Sequence, residues 1–426
     1  LKQVWLGLVS LTLTCARPGP LPLAHAEAPK ASSASARLEP TPSAKTQSSP
    51  VAPLGGGWRP LAGFFHALAE LSQCKRQSHV RVLWLGDSHT NADFLSGAVR
   101  SALRNVFGDG GPGFVRIGTK PYRHEGLKLG RDGVWNVDPD PPARRSRQDD
   151  GVFGLSGTRA VPQADASWSA QVVARDAPGD EPARFELSYN LPVGSSFLLE
   201  LGSHKLRVDA KTAADVAASG VAHLTLTAPL KSHLRLTPER GAPRLFGVII
   251  ERTVKPGVVL DTLGIDGARL ETPLAWNEAA FTDEVARRNP DLLVVAFGTN
   301  EAFDALKVER YARQLQDLVG RLQRGAPNAS CLVLGPTDAP LGDGSLPRVA
   351  EVSAVLQRAA GQLGCDFASL QQLMGGEGSF VRGMKAKERL AQPDRLHLTP
   401  KGYQELGAVL AKQLLDAYST GRADLP

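Results

Sequence analysis

Three apolar runs of strand length, each closed by glycine and a polar turn, most tightly limit how this chain can fold. Val80–Leu85 ends at Gly86, Leu292–Phe297 at Gly298-Thr299-Asn300-Glu301, and Cys331–Leu334 at Gly335-Pro336-Thr337-Asp338. Runs with no polar face need cover on both sides, as strands of a parallel sheet have. The sequence between them supplies that cover. Val308, Tyr311, Leu315, Leu318 and Leu322 recur at helical spacing, as do Leu61, Phe64, Phe65, Leu68 and Leu71 ahead of the first run. A shorter strand is expected near Asp366–Leu370. A closing helix starts at Thr399-Pro400, a cap followed by proline in the first turn, with Tyr403, Leu406, Leu410 and Leu414 facing inward. Strands alternating with amphipathic helices predict an α/β fold, a doubly wound parallel sheet.

The middle of the chain obeys a different rule. Short β-type segments, among them Phe185–Tyr189, Phe197–Leu201, Leu206–Val208, Leu224–Thr227 and Phe246–Ile250, are separated by turn signals such as Pro192-Val193-Gly194. They predict an antiparallel β-sandwich or jelly-roll module inserted after the first parallel strand. The resulting division places an α/β domain at 58–118 and 260–420 and the inserted module at 119–259. Ahead of them lies an Ala/Pro/Ser-rich linker over 27–57, too poor in large apolar groups to fold.

Lys2, the apolar stretch Val4–Cys15 and Ala24-His25-Ala26 read together as a secretory signal peptide over 1–26, too short to span a membrane once export is complete. A lipid anchor at Cys15 is the weaker reading, because Thr12-Leu13-Thr14 is a poor lipobox. Export to the periplasm or cell envelope of a bacterium is therefore expected. Cys74, Cys331 and Cys365 offer no zinc-binding spacing and are expected to be small buried side chains, with one disulfide at most. The net charge of +6, from 49 basic and 43 acidic residues, comes without a dense cationic run. Nucleic acid is thereby disfavoured as a partner, and loose attraction to acidic envelope polymers remains compatible.

Chemistry concentrates at the strand ends, where open parallel sheets bind ligands. Gly86-Asp87-Ser88-His89-Thr90 puts a serine on a glycine-led turn; the competing reading is a helix cap made by Asp87 or Ser88. A serine nucleophile needs a base. His204, His223 and His233 fall in the module, His66 and His79 precede the first strand, and His89 is adjacent to Ser88, so its side chain diverges. His397 precedes the closing helix, and Asp394, three residues earlier, can fix its tautomer. For the oxyanion, Asn300 offers a side-chain amide at another strand end. A backbone donor is expected at Gly267, after the strand Val258–Leu260, in preference to Gly157, which reads as a turn at the edge of the module. The glycine-rich stretch Gly108–Gly113 lacks the context of a phosphate loop and is expected to shape the pocket floor. Trp135, Trp168 and Tyr189 could stack on sugars, with simple packing favoured.

Ser88, Gly267, Asn300 and His397, with Asp394, occur in the order of the four blocks of the SGNH (GDSL) hydrolase superfamily, which the chain resembles over roughly residues 80–415. Within it the chain looks like the bacterial peptidoglycan O-acetylesterase branch. There the first block reads Gly-Asp-Ser-His, and a carbohydrate-binding-like β module follows it. Segments 107–114, 264–268, 298–303 and 397–403 carry the same likeness. The resemblance implies a flavodoxin-like fold and an esterase using Ser88, Asp394 and His397 without a cofactor. Ser88, Gly267 and Asn300 would form the oxyanion hole. The implied substrate is an acetylated glycan, cell-wall peptidoglycan. An O-acetyltransferase with the same residues, or a glycan-binding envelope protein, are the alternatives.

Overall fold

A computed structural model describes residues 59–119, 122–139, 150–173, 180–210, 220–305 and 307–421. The expected signal peptide and linker, 1–26 and 27–57, lie outside the described residues. Five parallel strands form the central sheet in the order Val258–Gly264, Val80–Gly86, Leu292–Ala296, Ser330–Gly335, Asp366–Ser369. Numbered along the chain this order is 2-1-3-4-5, that of flavodoxin-like folds. The pleat of Val80–Gly86 sends Val82 and Trp84 into one core and Leu83 and Leu85 into the other. Helices Ala62–Ser72, Leu95–Phe107 and Pro400–Gly421 close the first core; Glu278–Arg288, Glu309–Gly325 and Pro347–Gln362 close the second. The helical face read from the sequence is the one buried, with Tyr311, Leu315, Leu318 and Leu322 almost wholly inaccessible. Removing each such side chain from water contributes roughly 1.5–3 kcal/mol.

The module is two antiparallel sheets around a separate core. One runs Ala222–Pro229, Pro182–Asn190, Arg244–Arg252, Arg159–Pro162, Trp135–Asp138, and the other Leu127–Asp132, Ser167–Val172, Leu234–Arg240, Ser196–Leu201, His204–Asp209. Side chains of both sheets, including Phe185, Leu187, Leu199 and Leu236, meet in one cluster. Trp135 and Trp168 belong to it and are buried, and Tyr189 packs edge-on against Phe197 at 5.4 Å, so packing rather than sugar stacking occupies these rings.

Three expectations need correction. Gly113–Arg116 pairs with Arg244–Arg252 in the module's first sheet, so β pairing of the module begins before residue 119. The glycine-rich stretch does not line the pocket. Gly108 and Gly110 bond to Val258, and Gly110 to Arg252, so it threads the seam between module and domain. A Cβ on Gly111, whose φ is +111°, would stand 2.8 Å from the Ile250 carbonyl, which explains the glycine. Cys331, on the strand Ser330–Gly335, and Cys365, just ahead of Asp366–Ser369, form a disulfide; Cys74 is exposed instead of buried and is itself disulfide-bonded, so the limit of one disulfide does not hold.

A buried ion network fastens the seam. Glu251 of the module accepts from Arg81 Nε at 2.9 Å, Arg288 at 2.6 Å and Arg184 at 2.8 Å. Arg288 also grips Asp261 at the centre of the Val258–Gly264 strand. Burial alone would raise Glu251, but its arginine partners outweigh it and hold the carboxyl far below its usual range.

Candidate active site

Register brings three of the expected residues to one edge. Gly86 lies opposite Gly264 on one side and Ala296 on the other. Ser88, Gly267 and Asn300 therefore leave adjacent strands just beyond the same level, where the strand order reverses and a crevice opens. Asp87 caps the short helix Ser88–Asn91, its carboxylate accepting from the His89 amide at 2.9 Å and its carbonyl from Thr90 and Asn91. The two readings of this turn thus fall on different residues: Asp87 is the cap, and Ser88 is left with its hydroxyl available. Burial pushes the Asp87 carboxyl up to about 8, with Glu301 and Asp266 adding to the effect.

The hydroxyl meets a histidine from the far end of the chain. Ser88 Oγ lies 2.9 Å from His397 Nε2, and His397 Nδ1 lies 2.8 Å from Asp394 Oδ2. The other carboxylate oxygen of Asp394 accepts from the Leu396 and His397 amides, each at 3.0 Å, so one side chain shapes the loop and orients the ring. For Asp394 burial is outweighed by these bonds, and its carboxyl is held below the usual range. Arg395, with φ +63°, donates to the Gly342 carbonyl at 2.8 Å, and the Ala391–Leu398 bridge closes the loop.

Asn300 and Gly267 are tied together from below. Asn300 Nδ2 donates to the Ala268 carbonyl at 2.9 Å. Glu301, fully buried, accepts from the Leu270 amide at 2.7 Å with one oxygen and from the Gly298 amide at 3.0 Å with the other. Burial raises its carboxyl to about 7. Arg269 pairs with Asp304 at 3.0 Å and reaches the Gly267 carbonyl at 3.3 Å. Gly157 is elsewhere: a Cβ there would run into the Trp276 indole at 1.9 Å, in keeping with a turn at the edge of the module.

Several supporting groups had no signal in the sequence. His89 is buried, with Nδ1 2.9 Å from the Tyr403 hydroxyl and Nε2 3.4 Å from Thr337 Oγ1. Burial, then the neighbouring His397, lower it to about 3, so it stays neutral. Its ring centroid is 5.5 Å from that of His397, and its bonds lead away from Ser88. Buried Arg116 donates to Asn91 and to the Gly264 carbonyl, bracing the edge from the module side. A cleft of about 360 Å³ opens beside Ser88 and His397, walled by Phe94, Tyr122, Arg123 and Tyr403.

Residues 225–405 match the model of the GDSL-like Lipase/Acylhydrolase family. The match covers under half of the chain and takes in Gly267, Asn300, Asp394 and His397. Proteins of that family are acylhydrolases, carboxylic ester hydrolases. The match starts inside the module and so omits Ser88, which the sheet register restores to the rest. A solved peptidoglycan O-acetylesterase, 24% identical, is similar in fold at a TM-score of 0.69, over 85% of this chain and 96% of its own. An acetyl xylan esterase, 18% identical, overlaps 39% of this chain and 82% of its own at a TM-score of 0.29. A family two carbohydrate esterase from Cellvibrio japonicus, 12% identical, covers 69% and 99% at 0.28. No curated protein sequence matches the chain. Among the described residues no helix is long and apolar enough to cross a membrane.

Proposed function

We propose that this esterase removes O-acetyl groups from a carbohydrate polymer, bacterial peptidoglycan, through an acyl-enzyme on Ser88. The observation that carries the reading is the hydrogen-bonded chain from Asp394 through His397 to Ser88, at 2.8 and 2.9 Å, opening on the cleft. His397, oriented by Asp394, takes the Ser88 proton as Oγ bonds to the ester carbonyl carbon. The tetrahedral oxyanion is received by the amides of Ser88 and Gly267 and the side-chain amide of Asn300. Ser88 is the first residue of its helix, where the amide has no intrahelical acceptor. Asn300 spends one N–H on Ala268, which leaves the second for the oxyanion. The carbon–oxygen bond to the sugar then breaks, and His397 returns the proton to the departing hydroxyl. Water, deprotonated by the same histidine, releases acetate and restores Ser88.

The sugar polymer is inferred from the shared fold with the solved peptidoglycan O-acetylesterase, module included. A peptidoglycan substrate would set the enzyme at work in the bacterial envelope. The Cys331–Cys365 disulfide supports this, since such bonds persist mainly in oxidising compartments. Acetate release from O-acetylated peptidoglycan, beside acetylated xylan, tests the assignment. Faster release from peptidoglycan is expected. Release from xylan alone would overturn the substrate, and transfer of acetate to an added glycan acceptor in preference to water would make the protein an acyltransferase.

A further inference from the structure

The cleft is lined by one arginine and one aspartate, Arg123 and Asp266. Arg123 is the only arginine or lysine among the described residues that line it. Its guanidinium lies 4.2 Å over the Phe94 ring, and Nη1 donates to the carbonyls of Ala92 at 3.4 Å and Asp93 at 3.3 Å. Stack and anchor fix the plane of the group while using one of its three nitrogens. Nε and Nη2 have no partner among the described residues, and the side chain is exposed. Asp93 is paired with Arg100 at 2.5 Å and Asp394 with His397 at 2.8 Å, while Asp266 accepts from the side-chain amide of Asn91 at 2.9 Å, and no contact joins any of the three to Arg123 Nε or Nη2 among the described residues. A fixed guanidinium with its Nε/Nη2 edge open has the fork geometry that accepts a carboxylate through two parallel hydrogen bonds.

We propose that Arg123 determines specificity by receiving a carboxylate carried on the glycan close to the ester that is cut. This rests on the deacetylase reading and sharpens it, because it makes the preferred substrate an anionic polysaccharide. Lactyl or peptide carboxylates on amino-sugar chains and uronic acids within a glycan share this chemistry. A neutral acetylated polymer lacks it. The bland alternative is a solvated arginine that only pins the segment between Gly113–Arg116 and Leu127–Asp132, and it predicts no dependence on substrate charge.

The test is a cycle of protein and substrate changes. Wild type, Arg123→Gln and Arg123→Lys are assayed on O-acetylated peptidoglycan, on the same polymer with its carboxylates converted to amides, on acetylated uronic-acid polymer and on uronate-free acetylated xylan. Rates are expressed per active site, counted with a serine-reactive fluorophosphonate, so misfolded protein does not enter. Arg123→Gln is expected to lower kcat/KM on native peptidoglycan by about 10-fold or more, mostly through KM, since charge-assisted forks are strong. Amidation should cost wild type a similar factor and cost Arg123→Gln little. Arg123→Lys, which keeps charge without the fork, should fall between. A comparable loss on the uronic-acid polymer would place the carboxylate on the sugar ring; a loss confined to peptidoglycan would place it on the lactyl or peptide group. Equal rates for wild type and Arg123→Gln on native polymer, or an equal amidation penalty for both, would overturn the proposal. Aryl acetate turnover by wild type with no acetate from any polymer would overturn the deacetylase reading itself, and this inference with it.

Discussion

Asp394 does two jobs with two oxygens, which makes it the most informative single residue to change. Oδ1 accepts from the Leu396 and His397 amides, while Oδ2 meets His397 Nδ1. Asp394→Asn keeps the first set but presents an amide N–H to the ring. Nδ1 must then become the acceptor, and the ring proton moves to Nε2, facing Ser88 with a donor where a base is needed. The expected outcome is a kcat lower by about 10⁴ with an unchanged melting temperature. A loss under tenfold would mean that His397 does not depend on Asp394 for its tautomer. Ser88, Asp394 and His397 were legible in the sequence because nucleophilic acyl transfer accepts few residue types, and these stand at strand and helix boundaries. His89 and Tyr403 were not. They meet across 314 positions, and their pairing is a packing outcome without a spacing rule.

At the level of elements, the loops after Val258–Gly264 and Leu292–Ala296 act as one unit because Glu301 holds an amide from each. Glu301→Gln keeps one acceptor and turns an NH₂ group toward a backbone N–H in a fully buried site. With the loops parted, Gly267 and Asn300 lose their common aim. We expect kcat per active site to fall by on the order of 10–100-fold with KM nearly unchanged, as loss of an oxyanion donor does. A lower melting temperature with unaltered kcat per titrated site would reduce Glu301 to a purely structural role. Strand ends and the closing helix could be read from apolar runs and caps, and Asn300 with them. The clamp could not, because a buried glutamate looks like any surface glutamate until its two partners are known. The glycine-rich stretch misled for a related reason: its glycines answer to the backbone of the module, brought close only by the fold.

The whole molecule joins the two cores of the α/β domain to the core of the module through a polar seam, and its buried ionisable groups set a distinctive pH response. Asp87 and Glu301 titrate in the native state near 8 and 7 instead of 3.8 and 4.5, mainly through burial. The native protein keeps protons there that the unfolded chain releases, so their contribution to stability declines as pH rises through that interval. His89 and His124, depressed by burial to about 3 and about 4 from 6.5, act oppositely, favouring the unfolded chain as pH falls below 6.5. Between pH 4.5 and 6.5 the two pairs oppose one another and stability should be nearly flat. Above it only the carboxyls act, and stability should decline toward pH 8. Below it the histidines are joined by Asp93 and Glu251, whose arginine partners outweigh burial and hold them low. Urea midpoints measured against pH check this, and a maximum at pH 8 would contradict it. The parallel sheet and the β module were both legible, since each has its own period. The order of the strands and the extent of the seam were not, because register is set by contacts between distant segments. The central claim concerns Ser88, and the most direct measurement is mass analysis of enzyme quenched during turnover of O-acetylated peptidoglycan. One acetyl group on the peptide containing Ser88, absent from Ser88→Ala along with acetate release, is the predicted result. Undiminished release by Ser88→Ala, or the acetyl group on another residue, would contradict the account.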